Sequence, residues 1–575
     1  MDGSYVFLVF VGIFIIATFV IGIRDKRAFR RRTLTKLREG FGQPPQVRYD
    51  EYSMKRIPRY FLSHKGPHAI DDITWNDLEM DEVFVRLNYC ASAAGEEVLY
   101  AMLRNVCGMP KTDGATEVSA EQMEEKLRLL SEDAALRESL QQAYTAIGRT
   151  GKYSVHDYLS GLETLERGSM AKEIAALALI ALAVILLFVA FPFGALLLLA
   201  MFVYQLMSFY RRKAEIEPYL VCFDYILRVL KEGELIKTLI DGRMEIEAAA
   251  LSDMLKKMQS FKRGSSLVRA GMYGGIGATG NLLDILMDYI NILFHLNLIK
   301  FNQMLKEVDR HTDTIDALVT LTGQIEAWIS IVCYRASMKR PDGSDGYCTP
   351  AFTSEDVYRV EELTHPLLRD AVPSSLTAES NVLITGSNAS GKSTFLKAAA
   401  LSVLMAQTLH TVTARSYEAP HMRVYSSMAL RDDIHGGDSY YMVEIKSLKR
   451  VLDAMKEEGA PRVFTCIDEV LRGTNTIERI AASSEILKVF SAGNALCIAA
   501  THDVELTTLL QEHYDNYHFE GIVEDGDVRF DFTLHEGPST TRNAIALLDI
   551  MGYDQSITDA AEERAGRFLQ YGKWE

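Results

Sequence analysis

The chain has 575 residues, 48% of them apolar, with a formal charge of −16 and a pI near 5.4. That length suggests about three or four domains, and that composition fills large cores without difficulty. The acidic balance argues against a protein whose main work is gripping a phosphate backbone, unless a local basic patch does it. Seven cysteines (Cys90, Cys107, Cys222, Cys333, Cys348, Cys466, Cys497) lie scattered without a C-x-x-C pair, which excludes a disulfide frame and reads as thiols in a reducing compartment. His64 and His68 stand four apart, but Lys65-Gly66-Pro67 between them rules out one helical face, so this pair is not taken as a metal site.

From the N-terminus, Tyr5 to Ile23 is a run of 19 uncharged residues, long enough to cross a bilayer. Its basic residues (Arg24, Lys26, Arg27, Arg30, Arg31, Arg32) follow the run, the reverse of a cleaved signal peptide. The positive-inside rule then makes residues 1–23 a transmembrane anchor with the rest of the chain starting in the cytoplasm. Residues 24–69 read as a basic juxtamembrane segment and a Gly/Pro-marked linker. A helical domain is expected over 70–340, with Leu99, Met102, Leu103 and Val106 as a core-facing stripe and amphipathic stretches around Ala120–Leu130 and Ala134–Ile147. It is interrupted at 174–207 by 34 uncharged residues, broken near the middle by Phe191-Pro192-Phe193-Gly194. Basic residues on both flanks favour a transmembrane hairpin over one long tilted helix, because two crossings return the chain to the cytoplasm. A Gly-rich interruption (Gly271, Gly274, Gly275, Gly277, Gly280) has no preceding strand and no following Lys-Ser, so it reads as a hinge or a close helix contact.

After Pro341-Asp-Gly-Ser-Asp-Gly346 the pattern alternates strand and helix, an α/β domain over 350–535. The apolar run Val382 to Ile384 leads into Gly386-Ser387-Asn388-Ala389-Ser390-Gly391-Lys392-Ser393, and a helical segment begins at Thr394. That is a G-x-x-x-x-G-K-S phosphate loop in its strand–loop–helix setting. The glycines let backbone N–H groups face phosphates, and the helix N-terminus adds its positive end. Lys392 is assigned to the β- and γ-phosphates and Ser393 to Mg²⁺, and the whole run Gly386 to Thr394 to nucleotide binding. A second strand, Val463 to Ile467, ends in Asp468-Glu469. Asp468 is placed at Mg²⁺, and Glu469 is poised to orient or deprotonate an attacking water. Strand Leu496–Ala500 delivers Thr501-His502, setting a histidine at a strand's C-terminal end near the γ-phosphate. Lys392, Glu469 and His502 are the candidate catalytic residues.

The succession GSNASGKST, RDDIHGGDSYYMVEIKSLKRVL, CIDEVLRGTNTIER and AATHDVELTTL resembles the ATPase domain of the MutS family, the mismatch-recognition ATPases. The likeness reaches upstream to His365-Pro366 and downstream through LHEGPSTTRNAIALLDIMGYDQSITDAA, and more loosely into the helical region. Added to the membrane anchor and hairpin read from the apolar runs, it implies an α plus α/β chain with a helical core and lever domain, a P-loop ATPase domain of the ABC type, and a helical dimerisation segment over 536–575. It implies ATP with Mg²⁺ as cofactors, ATP hydrolysis, and a homodimer through the ATPase domain. Asn388 would touch the phosphates, Ser439 would complete the partner subunit's site in trans, and Gly473 to Thr476 would lie at the interface. The chain departs from the family where Ser387 and Ser390 stand for Pro and Gly, and where Leu471 replaces a glycine. The Phe-x-Glu wedge that probes mismatches is absent, and a membrane anchor takes the place of a mismatch-reading domain. Two functions are carried forward. One is the family role, binding mismatched or irregular DNA in repair. The other is a membrane-coupled mechanical ATPase whose levers act on the hairpin, a membrane partner or an unknown protein. A transporter is a weaker third, because three short crossings leave little room for a pathway. Either leading reading places a multi-pass protein in the cell membrane with its ATPase domain in the cytoplasm.

Overall fold

The computed structural model describes residues 20–21, 24–25, 27–28, 30–45, 49–106, 119–164, 170–262, 296–340, 342–387, 390–428, 440–524, 527–539 and 544–572. Most of the Tyr5–Ile23 run, the glycines between 271 and 280, and Asn388, Ala389 and Ser439 lie outside the described residues. The chain divides into two compact units. The first comprises Met1–His64, Asn88–Ala101 and Pro110–Cys333; the second comprises Lys65–Leu87, Met102–Met109 and Tyr334–Glu575.

The first unit is helical. Its central helix, Thr312–Ser337, which runs on into the second unit, is apolar enough to cross a membrane by composition, yet its most apolar stretch is almost wholly buried inside the protein. Small residues let neighbours approach it: a Cβ on Gly323 would stand 2.5 Å from the Ala94 carbonyl oxygen. Two amphipathic helices, Ala120–Glu132 and Ala134–Ile147, occupy the stretches expected of them, the first opened by a reciprocal Ser119–Gln122 capping box. The stretch from Gly40 to Pro67 is not a plain linker. It holds helices Glu51–Arg56 and Pro58–Ser63, because Asp50 caps the first by accepting the Ser53 N–H at 2.8 Å and Pro58 begins the second. Gly and Pro at the ends of this stretch mark helix boundaries there, not a loss of structure.

Helices Met170–Val189 and Phe191–Ile240 form an antiparallel hairpin. The break falls at Ala190, and Pro192 sits in the first turn of the returning helix. A side chain at Gly194 would come within 2.4 Å of the Leu187 backbone nitrogen, so the returning helix passes where only glycine fits. Ala176, Ile180, Ala183 and Met201 are buried, with Leu197 packed against three of them. The outward positions are apolar as well: Phe188 is 88% exposed, Val189 78%, Phe193 73% and Leu196 68%.

In the second unit a six-stranded sheet runs in the order β10-β9-β4-β8-β7-β6, formed by Asp527–Glu536, Tyr514–Glu524, Asn381–Gly386, Ala495–Ala500, Val463–Asp468 and Arg423–Ser427. All neighbours pair in parallel except β9 and β10, which form an antiparallel ribbon at one edge. A smaller sheet, β1-β5-β2-β3, is built from Ala351–Phe352, Ser416–Ala419, Tyr358–Leu363 and Ser374–Ala378. β8 is buried at all six positions, the continuous apolar run of a parallel strand covered on both faces. Residues 70–87, expected to open the helical domain, belong to this second unit. The buried Asp77 carboxylate explains why: it accepts the Ser426 hydroxyl at 2.7 Å and the Met428 N–H at 3.0 Å, and Asp71 pairs with Arg450. Beyond the sheet come the helices Ala544–Ile550 and Gln555–Tyr571.

Candidate nucleotide site

Register brings the motifs together. Ile384 of β4 and Asp468 of β7 both pair with Ala500 of β8, so three strands end in one row. The backbone continues the row: Thr501 N–H donates to the Ile384 carbonyl and Glu469 N–H to the Ala500 carbonyl, each at 2.9 Å. The phosphate loop, the Asp-Glu pair and His502 therefore leave the sheet side by side at its carboxyl edge, where open α/β sheets bind ligands.

The loop's geometry requires its two glycines. Gly386 has φ of 143° and a Cβ there would sit 2.6 Å from the Phe519 carbonyl oxygen; Gly391, at φ 109°, precedes the Lys392–Leu409 helix as its cap. Lys392 Nζ donates to the carbonyl oxygens of Gly386 and Ser387, both at 2.7 Å, which holds the ammonium against the loop. Burial pushes this lysine down to about 8, against the opposing pull of Asp468 and Glu469. A phosphate arriving beside it would restore the charge. The hydroxyls of Ser387 and Ser390 are buried and unpartnered among the described residues.

Ser393 Oγ donates to Asp468 Oδ2 at 2.6 Å. One hydroxyl and one carboxylate, both hard oxygen donors at one point, suit Mg²⁺, which keeps waters and phosphate oxygens for its remaining positions. Ser393 and Asp468 would hold it there, and the ion would supply charge to neutralise the phosphates. Glu469 is held on both sides: His502 Nε2 lies 2.6 Å from Oε1 and Arg472 Nε lies 2.6 Å from Oε2. Burial alone would raise its carboxyl, but the His502 hydrogen bond and the charges of Arg472 and Lys392 outweigh it and leave the group below its ordinary value. It is thus an ionised carboxylate at neutral pH, aimed by two partners.

No sequence motif marks Arg472 or the groups that aim it. The turn after β7 puts Glu469 at φ 59° and Leu471 at φ 60°, left-handed values that cost a branched side chain energy. A glycine would take this conformation freely, so Leu471 carries strain at the very position where the chain departs from the family pattern. Its side chain is 3% exposed in the core beside Val470, and that burial offsets the strain. Glu444, on the helix Tyr440–Ala454, fixes the turn: its Oε1 accepts the Leu471 N–H at 2.5 Å and the Arg472 N–H at 3.4 Å.

Ser390, Gly391, Lys392, Ser393, Asp468, Glu469, Arg472 and His502 line one cavity of about 500 Å³, together with Thr394, His365, Leu363, Leu368, Val372, Phe519 and Phe532. The lining combines charged and polar groups with apolar side chains, a mixture that fits a charged tail and a flat aromatic base. Burial first, then the nearby Lys397, lowers His365 to about 4, so it lines the cavity as a neutral ring. Asn388, Ala389 and Ser439, assigned from the sequence, lie outside the described residues; Ser390 to Thr394, Asp468, Glu469 and His502 line the cavity, Gly386 and Ser387 belong to its loop, and Gly473 to Thr476, assigned to a dimer interface, do not line it.

Strand, glycine loop, helix and a carboxylate at the end of a neighbouring strand define a phosphate-loop nucleotide-binding domain. The family model described as MutS domain V matches residues 382–568, and it is this region of the chain that is similar to the MutS family. It is 30% identical over 279 residues to DNA mismatch repair protein MutS 2 of Haloarcula marismortui, a match covering 45% of this chain and 29% of that relative. It is 31% identical over 221 residues to DNA mismatch repair protein MutS of Thermus thermophilus, covering 38% of this chain and 26% of that protein. DNA mismatch repair protein MutS of Natronomonas pharaonis is 30% identical over 280 residues, with 46% of this chain and 31% of the relative covered. The chain thus spans less than a third of the length of these curated relatives.

Proposed function

We infer that the chain binds and hydrolyses ATP, with Lys392 on the phosphates, Ser393 and Asp468 on Mg²⁺, and Glu469, aimed by His502, activating water. The observation that carries this is the meeting of all five groups in one cavity at the ends of three registered strands. By likeness to its relatives, the chain would work as a homodimer in which Ser439 of each copy completes the other copy's site. Nucleotide closure of such a dimer would drive the helical unit. The family-level role is binding mismatched or irregular DNA in repair, here tethered to a membrane.

The hairpin favours a second reading. Its Phe191–Ile216 portion is long and apolar enough to cross a membrane while most of its apolar stretch is unburied, and its exposed face is apolar on both helices. Set in a bilayer, it would let the same engine act on a membrane partner, with the chain a multi-pass protein of the cell membrane whose ATPase domain lies in the cytoplasm.

Phosphate release by the detergent-purified chain, with and without homoduplex or mismatched DNA at low and near-physiological salt, tests both. DNA stimulation that survives salt supports the repair role. A rate indifferent to DNA that changes when lipid replaces detergent supports the membrane engine. A wild-type rate no higher than that of Glu469→Gln would overturn ATP hydrolysis itself.

A further inference from the structure

We propose that His64, His156 and Asp316 bind one divalent transition-metal ion of the zinc class within the helical unit. The three residues come from segments far apart in the chain: the end of the Pro58–Ser63 helix, the Val155–Thr164 helix and the central Thr312–Ser337 helix. Their ligand atoms all lie within 4.8 Å of one another. His64 Nε2 faces Asp316 Oδ2 at 2.8 Å, and His156 Nε2 faces the other oxygen, Oδ1, at 2.7 Å. Among the described residues these two imidazoles are the ion-pair partners of Asp316, and no Lys or Arg joins them.

Proton bookkeeping shows why a cation belongs there. The Ser63 hydroxyl donates to the Tyr60 carbonyl at 2.8 Å, which commits its only proton. Toward His64 Nδ1, at 3.0 Å, Ser63 Oγ can then only accept, and the Tyr60 carbonyl, also at 3.0 Å, can only accept. Nδ1 of His64 therefore carries the ring's proton. A neutral ring is left with a lone pair at Nε2, pointing at an ionised carboxylate that has no proton to give. Two lone pairs at 2.8 Å repel unless a positive charge lies between them, supplied by a second proton or by a metal ion.

The arrangement of the ligands selects the metal. A ligating imidazole whose other nitrogen donates to a backbone carbonyl is the usual outer-shell support of a metal histidine, and His64 has it already. Stacking on Tyr60, 4.1 Å between ring centroids and 13° from parallel, fixes the same ring again. Tyr60 is itself tied to the central helix through its hydroxyl, 2.7 Å from Thr320 Oγ1. His156 Nδ1 has no hydrogen-bond partner among the described residues, and the ring stands edge-on to Tyr60 and His64, with centroids 5.1 and 5.4 Å away, which turns Nε2 toward Asp316. Two imidazoles and one carboxylate make the three-protein-ligand set of zinc sites with an open fourth position. The side chains of His156 and Asp316 are 14% and 22% exposed, which leaves water room to take that position. Zinc bonds of about 2.0–2.1 Å need each imidazole nitrogen to withdraw from its carboxylate oxygen by about 0.5 Å, while ligand atoms now up to 4.8 Å apart draw together. Bound there, the ion would clip the segment just after residue 50 to the central helix.

Cobalt, whose visible absorption reports its coordination, is the probe. The full chain in detergent, stripped by a chelator and dialysed without nucleotide, is titrated with Co²⁺ and then with Zn²⁺. The expected result is about one equivalent of Co²⁺ with the intense bands of a four-coordinate site, displaced by about one equivalent of Zn²⁺. His156→Ala and Asp316→Asn should each weaken Zn²⁺ by more than about 100-fold, beyond the roughly 10–100-fold that a lost outer-shell partner costs. Asp468→Asn, which removes a carboxylate from the nucleotide cavity, should leave the cobalt bands in place. Circular dichroism establishes that each variant is folded, and Zn²⁺ should raise the melting temperature of the wild-type chain but of neither cluster variant. No stoichiometric binding, or binding that persists in both folded variants, overturns the site. So does a melting temperature that follows pH between about 5 and 8 identically with and without Zn²⁺, since a proton would then be the cation.

Discussion

The hairpin Met170–Val189/Phe191–Ile240 and the strands β4, β7 and β8 are written in the same apolar alphabet, yet they spend it in opposite directions. In the sheet, side chains such as Val382, Leu383, Ile467 and Ile498 are wholly buried against protein on both faces. In the hairpin a thin seam of Ala176, Ile180 and Met201 is buried while Phe188, Phe193, Leu196 and Leu199 point outward. An apolar run therefore says that a segment leaves water, and the fold decides whether protein or another medium receives it. The central Thr312–Ser337 helix makes the point again: by hydropathy it matches a membrane span, and its most apolar stretch is almost wholly buried in protein.

The contrast can be broken or sharpened experimentally. The largest effect belongs to the sheet's edge. Glu469→Gln keeps the size of the side chain and its place beside His502 but removes the base, so steady-state phosphate release should fall by roughly 10²–10⁴-fold while ATP binding persists. Equal losses of binding and turnover would mean that Glu469 serves the fold and not the chemistry.

Next comes a charge in the hairpin. If lipid receives its outer face, Ile185→Lys costs about 2.5–3.5 kcal/mol of insertion, near 100-fold in the inserted fraction. Protease protection of residues 174–207 in proteoliposomes reads this directly. Protection unchanged by the lysine would place that face against protein or water and end the contrast.

The smallest effect is a pH slope. Lys392 sits near 8 without nucleotide, and bound phosphates raise it, so ATP affinity should be flat below pH 8 and fall up to about tenfold per unit above it. The stability of the nucleotide-free chain moves the other way. Its unfolded form holds a proton up to about pH 10.4 that the folded form has released, so stability rises across that window. Fluorescent-nucleotide titrations from pH 7 to 9.5 test the affinity, and Lys392→Arg should flatten the slope.

How much of this was legible beforehand depended on distance along the chain. Residues 386–394 and the pair Asp468-Glu469 are contiguous, and each announces itself by the strand that precedes it. Arg472 and Glu444 were missed because their roles depend on a turn at positive φ and on a helix 25 or so residues upstream, neither of which periodicity reveals. His64 was weighed only against His68, its neighbour in sequence, whereas its partners stand at 156 and 316. Gly40 to Pro67 reads as a linker by its glycines and prolines, yet Asp50 and Pro58 each open a helix there, which composition does not reveal. Residues 70–87 were placed with the wrong unit because a buried carboxylate, Asp77, chooses its companions in three dimensions.

The row formed by Ile384, Ala500 and Asp468 has a consequence for how this chain tolerates change. Segments that enter these strands from the opposite edge of the sheet can lengthen or shorten without displacing the row, since they attach away from the cavity. One residue added inside β7 or β8 would instead shift every later side chain by one place and exchange the two faces of the strand. His502 or Glu469 would then be carried away from Lys392 with all of their neighbours intact. Activity would be lost through misalignment alone, in a protein whose composition had hardly altered.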